Sequence, residues 1–321
     1  MKPLLLILDD WEGLIQKVAC WKQFNELLEI KFLKEPIERT SDVEIGQAQF
    51  LMAIRERTAL NEQLFKRMPK LKLVLQTGGH AYHIDKAAAK QRHIIIASGR
   101  RVKAPLASVP ELTFAFVLGL THKVYQAQRS MQNGRWDLLT GRTLSNKRLG
   151  ILGMGRHGSR VAQIASTAFN MEVVAWNRNE NTYSESGGFK RLPLEELLET
   201  CDIVSIHLKL SDDSKGLINK ERLAKMKPGA LLINTSRGAI VDEDALIEAL
   251  ENKRLAGAGL DVFRQEPLAI DSPLRIFDNV ILTPHIGWTV DEVFEEFATI
   301  ACTQLMEYLN GNLANTELLP Y

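Results

Sequence analysis

The chain has 321 residues, with 40 Lys and Arg against 39 Asp and Glu and a formal net charge of +1. So balanced a charge argues against nucleic acid or anionic lipid as the partner, since both select a basic excess. Apolar residues at 45% and charged residues at 25% exclude disorder and low-complexity repeats, and the length predicts two domains.

The chain opens on Met-Lys-Pro and five apolar residues, Leu4 to Leu8, before Asp9 and Asp10. Five are too few for a signal-peptide core or a membrane span, so the run predicts a buried first strand. Further apolar runs predict strands at 50–54, 71–75 and 94–97. Asn61 is placed to cap a helix through Met68, with Leu64, Phe65 and Met68 on one face, and Asp85 to cap 86–91. Ser108-Val-Pro110-Glu111 has the spacing of a capping box with Pro near the helix start. The apolar run 112–120 then predicts a long buried helix. A second series of strands is expected at 149–152, 173–176, 203–206, 230–234, 258–262 and 280–282. These runs are continuous rather than alternating, as in strands covered on both faces of a parallel sheet. Strand and helix alternate throughout, which predicts an α/β fold with right-handed crossovers. After a joint at 284–289, a helix from about 291 to 309 is expected to pack back on the first domain and make it discontinuous. Cys20, Cys201 and Cys302 are odd in number and form no CxxC pair. Neither a disulfide framework nor a Cys-rich zinc site is encoded, and a reduced, cytoplasmic setting is expected.

Gly153-Met-Gly155-Arg156-His157-Gly158 is the sharpest motif. It follows the run 149–152 and precedes a helical stretch at 159–169, the context a dinucleotide fingerprint requires. Gly153 allows the tight turn, Gly155 lets backbone approach a pyrophosphate, and Gly158 lets helix pack on strand. The helix N-terminus offers free N–H groups and a partial positive charge to the phosphates. NAD sites usually place Asp or Glu about 20 residues on, against the ribose 2′-hydroxyl. Here Asn177 and Arg178 follow the next strand instead. No carboxylate repels a 2′-phosphate, and Arg178 offers one charge-assisted hydrogen bonds, so NADP is expected in preference to NAD. The other reading of Arg178 is a solvated loop charge or a stacking partner for adenine.

Arg237, Glu266 and His285 each stand just past an apolar run. Ligands of open parallel sheets bind at the carboxyl ends of the strands, so these three are expected to line one crevice. Reducing a ketone leaves an alkoxide that needs a proton. His titrates near neutrality and suits that task, and a neighbouring Glu orients the ring and favours its protonated form. An Arg fork clamps a carboxylate and polarises a carbonyl. Other readings are weaker. Arg55 either reaches the substrate or pairs with a carboxylate. Arg100, Arg101 and Lys103 in 99–105 either meet an anionic substrate tail or form a solvated hinge. His80 and His83 lack a third ligand of convincing spacing, and no metal is expected.

Together these segments, with Asp202–His207 and 257–267, resemble the D-isomer-specific 2-hydroxyacid dehydrogenase family over nearly the whole chain. The resemblance implies two Rossmann-like, doubly wound parallel-sheet domains with a cleft between them. A discontinuous substrate domain would span 1–99 and 290–321, and a dinucleotide-binding domain 100–289. It implies Arg237 on the substrate carboxylate, Glu266 tuning His285, and His285 as proton donor. Asp261 would hold the nicotinamide carboxamide, with Thr235, Ser236, His207 and Gly287 beside the cofactor. Gly78 and Gly79 would present N–H groups to the substrate carboxylate. Lys209, Pro110 and Asn177-Arg178 depart from the usual pattern. The expected activity is interconversion of a small 2-keto acid and its D-2-hydroxy acid, as in glyoxylate or hydroxypyruvate reductases. The expected enzyme is a homodimer with no nucleic-acid or membrane partner, water being excluded by domain closure. Two alternatives are a 3-phosphoglycerate dehydrogenase-like enzyme and a dinucleotide-sensing, corepressor-like binding protein.

Overall fold

Two fully parallel sheets organise the chain, which divides into the units Met1–Ala104 with Thr289–Tyr321 and Pro105–Trp288. The structure is a computed structural model that describes residues 2–79, 81–178 and 188–320.

The first unit holds β1 (Leu4–Ile7), β2 (Glu29–Phe32), β3 (Ala48–Ala53), β4 (Leu73–Gln76) and β5 (Ile95–Ser98), in the order β2-β1-β3-β4-β5. β1 and β4 are buried along their whole length, as continuous apolar runs demand. β2 was not predicted. It is an edge strand whose residues alternate between exposed and half-buried, and Glu29 and Lys31 break its apolar run. The helices α1 (Asp42–Ile45), α2 (Glu62–Arg67) and α3 (Lys86–Gln91) join the strands. Asn61 caps α2 by accepting from the Leu64 N–H at 3.0 Å, and Asp85 caps α3 through the Ala88 N–H at 2.9 Å, as expected. The last helix, α10 (Asp291–Leu309), belongs to this unit and buries Phe294, Phe297, Ala301 and Leu305.

The second unit opens with α4 (Pro105–Thr121) and α5 (Val124–Gln132). Then come β6 (Arg148–Leu152), α6 (Arg156–Phe169), β7 (Glu172–Trp176), β8 (Lys190–Arg191), α7 (Leu194–Thr200) and β9 (Ile203–Ile206). α8 (Lys220–Lys225), β10 (Ala230–Asn234), α9 (Glu243–Glu251), β11 (Leu255–Leu260) and β12 (Val280–Leu282) complete it. The sheet order β12-β11-β10-β9-β6-β7-β8 reverses direction between β6 and β9. That switch point is where a doubly wound sheet opens a ligand crevice beyond its strand ends. The expected α/β class, with two doubly wound parallel sheets, is the fold observed.

The capping box expected at Ser108 does not form. α4 begins three residues earlier, at Pro105, where a missing N–H costs nothing, and runs straight through Pro110. Burial of Val109, Phe114, Phe116 and Val117 carries the helix across that proline. Ser108 is buried within it and donates instead to the Gly287 carbonyl at 2.7 Å. Glycines on β11 let α4 lie close. A Cβ at Gly259 would stand 2.6 Å from the Phe116 Cβ.

Candidate active site

The phosphate turn has the local geometry its glycines require. Gly153 adopts φ +100°, and a Cβ there would stand 2.7 Å from the His207 carbonyl oxygen. At Gly158 a Cβ would meet the Gly153 carbonyl oxygen at 2.0 Å, so only glycine lets α6 seat on β6. Around Gly155 nothing lies within 4 Å, which leaves its backbone open to a ligand. α6 starts at Arg156 rather than at 159, and its Gly155 cap supplies no side-chain bond. Its first turn carries no acidic residue, so its N–H groups and dipole are unopposed. These features fit a dinucleotide pyrophosphate. His157 is half-buried, and burial first, then the Arg156 charge, lowers its pKa against the effect of its hydrogen bond with the Pro105 backbone.

The residues after β7 and β9 flank the same turn. Asn177 is buried and its Oδ1 accepts from the Met154 N–H at 2.6 Å, so its side chain holds the turn. Arg178 lies at the end of β7, where Nη1 donates to Ser211 Oγ at 3.2 Å and pairs with Asp213. His207 Nε2 sits 2.8 Å from Ser205 Oγ. Burial, then the nearby His157, holds that imidazole far below its ordinary pKa, so it is neutral. Thr235 Oγ1 lies 3.3 Å from Thr113 Oγ1, and the Ser236 hydroxyl donates to the Leu208 carbonyl.

The expected Arg/Glu/His set gathers at the carboxyl edge of β10 to β12. His285 Nδ1 and Glu266 Oε2 are 2.7 Å apart, and Glu266 Oε1 accepts from the Phe263 N–H at 2.9 Å. Burial opposes ionisation of Glu266. The hydrogen bond and charge of His285, the Phe263 N–H and the Arg237 charge outweigh it and hold this carboxyl below its ordinary value. Arg237 is fixed by its own neighbourhood. Its Nη1 donates to the Ser236 carbonyl at 2.7 Å, and its carbonyl accepts from Asn234 Nδ2 at 3.0 Å. Gly238 presses on the Phe263 backbone so closely that a Cβ would stand 1.9 Å from it, which ties the Arg237 loop to the Glu266 loop.

Asp261 anchors the His285 loop. Its Oδ1 accepts from Thr283 Oγ1 at 2.5 Å and from the Ile286 N–H at 2.8 Å, and its Oδ2 from the Gly287 N–H at 2.8 Å. Burial raises its pKa against these three donors. A Cβ at Gly287 would stand 3.0 Å from Asp261 Oδ2, so glycine serves the anchor. Thr283 takes part in this site without having been singled out in the sequence, and Ser108, expected only as a helix cap, serves it through the Gly287 carbonyl. Their partners lie 22 and 179 residues away, a relation no local pattern encodes.

In the first unit, Gly78 has φ +78° and its carbonyl accepts from Ser98 Oγ at 3.0 Å. A Cβ there would stand 2.5 Å from Arg55 Nη1, so Arg55 lies against the glycine loop while also pairing with Glu56 at 3.4 Å. Gly79 lies beside Arg100, whose Cγ a Cβ would meet at 3.7 Å. Arg101 pairs with Glu317, and Glu296 accepts from the Lys103 and Ala104 N–H groups. His80 lies outside the described residues. Among the described residues no cluster of three or more His, Cys, Asp or Glu stands where it could hold a metal, and no helix is long and apolar enough to cross a membrane.

A glycine turn on a doubly wound sheet, with a His–Glu pair and an arginine at the same edge, defines a dinucleotide-dependent oxidoreductase. Residues 114–287 match the model of the D-isomer specific 2-hydroxyacid dehydrogenase NAD-binding domain. The chain is 34% identical over 303 residues to a glyoxylate reductase of Thermofilum pendens, covering 88% of each. It is 31% identical over 319 residues to a hydroxypyruvate reductase of Blautia hydrogenotrophica, covering 95% of this chain and 94% of that one. The crystal structure of an Aquifex aeolicus D-lactate dehydrogenase complexed with NAD and lactic acid superposes with a TM-score of 0.80 at 28% identity, covering 99% of this chain and 100% of that one. The chain belongs to the D-isomer specific 2-hydroxyacid dehydrogenase family and is an oxidoreductase of that class.

Because Glu266 has a lowered pKa in the folded state, its pairing stabilises the fold fully above the ordinary carboxyl value of 4.5. That stabilisation is lost as pH falls through the lower, folded value. Urea midpoints of the wild type and Glu266→Gln are expected to differ at pH 7 and to converge below about pH 4.5. A gap that stays constant down to pH 3 contradicts the pairing.

Proposed function

We propose that this enzyme reduces a small 2-keto acid, glyoxylate or hydroxypyruvate, to the D-2-hydroxy acid, with NADPH preferred to NADH. The observation that carries this reading is the 2.7 Å contact between His285 and Glu266, with the Arg237 charge acting on the same carboxylate. Two of the relatives are named for these substrates. When bound, the dinucleotide supplies the hydride. Gly153, Gly155, Arg156, His157 and Gly158 would hold its pyrophosphate, with Thr235, Ser236, His207, Asp261 and Gly287 toward its nicotinamide half. The neutral state of His207 keeps a fixed charge away from that half. Arg237 clamps the substrate carboxylate through its fork and polarises the carbonyl. Gly78 and Gly79 are assigned N–H contacts to the carboxylate. Glu266 occupies His285 Nδ1, which leaves Nε2 to give the proton to the developing alkoxide and to take it back in the reverse direction.

The NADPH preference rests on Arg178 standing where a ribose-binding carboxylate is usual. Asn177 cannot substitute for that carboxylate, since its Oδ1 is engaged by Met154. Asp213 competes for the guanidinium and must yield it to a 2′-phosphate. A second reading, a substrate with a distal anion such as 3-phosphoglycerate, is favoured by the two arginines, Arg55 and Arg100, flanking the Gly78-Gly79 loop. A homodimer is supported by Trp136 and Leu138, which are 79% and 89% exposed in the segment after α5. Sedimentation equilibrium is expected to give twice the chain mass, and a monomer would reject the dimer.

An absorbance assay with NADPH and NADH over glyoxylate, hydroxypyruvate, pyruvate and phosphohydroxypyruvate tests the substrate class. Turnover of either of the first two is expected. Turnover of phosphohydroxypyruvate alone favours the second reading, and dinucleotide binding without turnover favours a sensor. His285→Ala is expected to cut kcat by roughly 10²–10⁴, with dinucleotide affinity kept. Near-wild-type turnover removes His285 from proton transfer. Arg178→Ala is expected to raise the NADPH KM about 10-fold or more while leaving NADH within about 2-fold, the loss of a charge-assisted hydrogen bond. Equal effects on both cofactors reject 2′-phosphate recognition.

A further inference from the structure

The first unit brings two cysteines together from opposite ends of the chain. Cys20 lies in the 3₁₀ segment Ala19–Phe24 and Cys302 in α10, 282 residues later, yet their sulfurs are 2.7 Å apart. A disulfide bond measures about 2.05 Å, so bonding needs only a small approach. Both backbones are held in place around the pair. Trp21 Nε1 donates to the Ile15 carbonyl at 2.9 Å, its ring packs on Phe24 and Phe32, and Ala301 and Leu305 beside Cys302 are buried. Cys302 is 2% exposed, whereas Cys20 is only half-buried, so an oxidant reaches Cys20 first.

We propose that Cys20 is an oxidation site with Cys302 as its resolving thiol, and that a hydroperoxide converts the pair to a disulfide that fastens α10 to the N-terminal part of the first unit. The Cys20 sulfur attacks the terminal oxygen of the hydroperoxide. The O–O bond breaks, water or an alcohol leaves, and Cys20 becomes a sulfenic acid. Cys302 then attacks that sulfur, the S–O bond breaks, and the hydroxide leaves as water with the Cys302 proton. Two thiols lose two electrons and the hydroperoxide gains two. The Cys302 S–H donates to the Cys20 sulfur, and that bond lowers the Cys20 pKa against burial and the Glu295 charge, which favours the attacking thiolate. Cys201 is an internal control. It lies in the core of the second unit, where burial pushes its thiol up to about 12.

The test is to treat the reduced, full-length protein with hydrogen peroxide, block free thiols and digest it without reductant for mass spectrometry. The expected product is a Cys20–Cys302 linked peptide pair, two hydrogens lighter than its parts and released by dithiothreitol, with Cys201 still blocked as a thiol. In Cys302→Ala, Cys20 is expected to proceed to the sulfinic acid instead. The oxidised wild type is expected to melt at a higher temperature than the reduced protein, and dithiothreitol to reverse the shift. Wild-type Cys20 recovered as sulfinic acid or as an unmodified thiol overturns the proposal. So does a linked protein whose melting temperature is unchanged or lower, since the bond would then fasten nothing.

Discussion

The carboxylate of Asp261 fixes the geometry on which the catalytic edge depends. Its two oxygens collect Thr283 Oγ1 and the N–H groups of Ile286 and Gly287, so the segment on either side of His285 is pinned to the end of β11. His285 itself has φ +56°, a left-handed conformation that a non-glycine residue holds only when its surroundings impose it, at about 1–3 kcal/mol. The anchor imposes it. Its own burial is costly, as the raised Asp261 pKa records, and three donors offset that cost. With the backbone set, the imidazole meets Glu266, and the Phe263 N–H holds the other oxygen of Glu266. One run of chain from β11 through β12 therefore carries the His285–Glu266 pair and its support.

The rest of the site follows from sheet topology. Parallel strands aim all their carboxyl ends one way, and the reversal between β6 and β9 leaves room beyond them. The glycine turn after β6, the His207 loop after β9, Arg237 after β10 and the Asp261 loop after β11 all emerge on that edge. Each loop is locked to a neighbour by backbone contact, at Gly153 on His207 and at Gly238 on Phe263. Those close approaches fix the loops of this edge against one another, as a preorganised site requires.

Much of this was legible in the sequence. Buried parallel strands announce themselves as unbroken apolar runs, and ten of the twelve strands among the described residues were anticipated to within a few residues. The two that were missed, β2 and β8, carry Glu29, Lys31, Lys190 and Arg191, so they look like loops. The phosphate turn was legible because its glycines and flanking elements are contiguous. Arg237, Glu266 and His285 were legible because each follows a strand. Partners across the fold were not. Thr283 on Asp261, Asp213 on Arg178 and Cys20 on Cys302 become neighbours only once the chain is folded, and Ser108 misled because its capping spacing was outweighed by burial of the α4 face.

The most direct measurement is kcat together with the dinucleotide dissociation constant for Asp261→Asn. An amide keeps the shape but must turn an NH₂ donor toward one of the N–H groups that the carboxylate accepts. If the carboxylate sets the His285 loop, kcat falls at least about 10-fold, and by more than dinucleotide affinity falls, since the phosphate turn on β6 is untouched and only the nicotinamide half of the cofactor site is altered. An unchanged kcat contradicts it, and shows that His285 holds its place without the anchor.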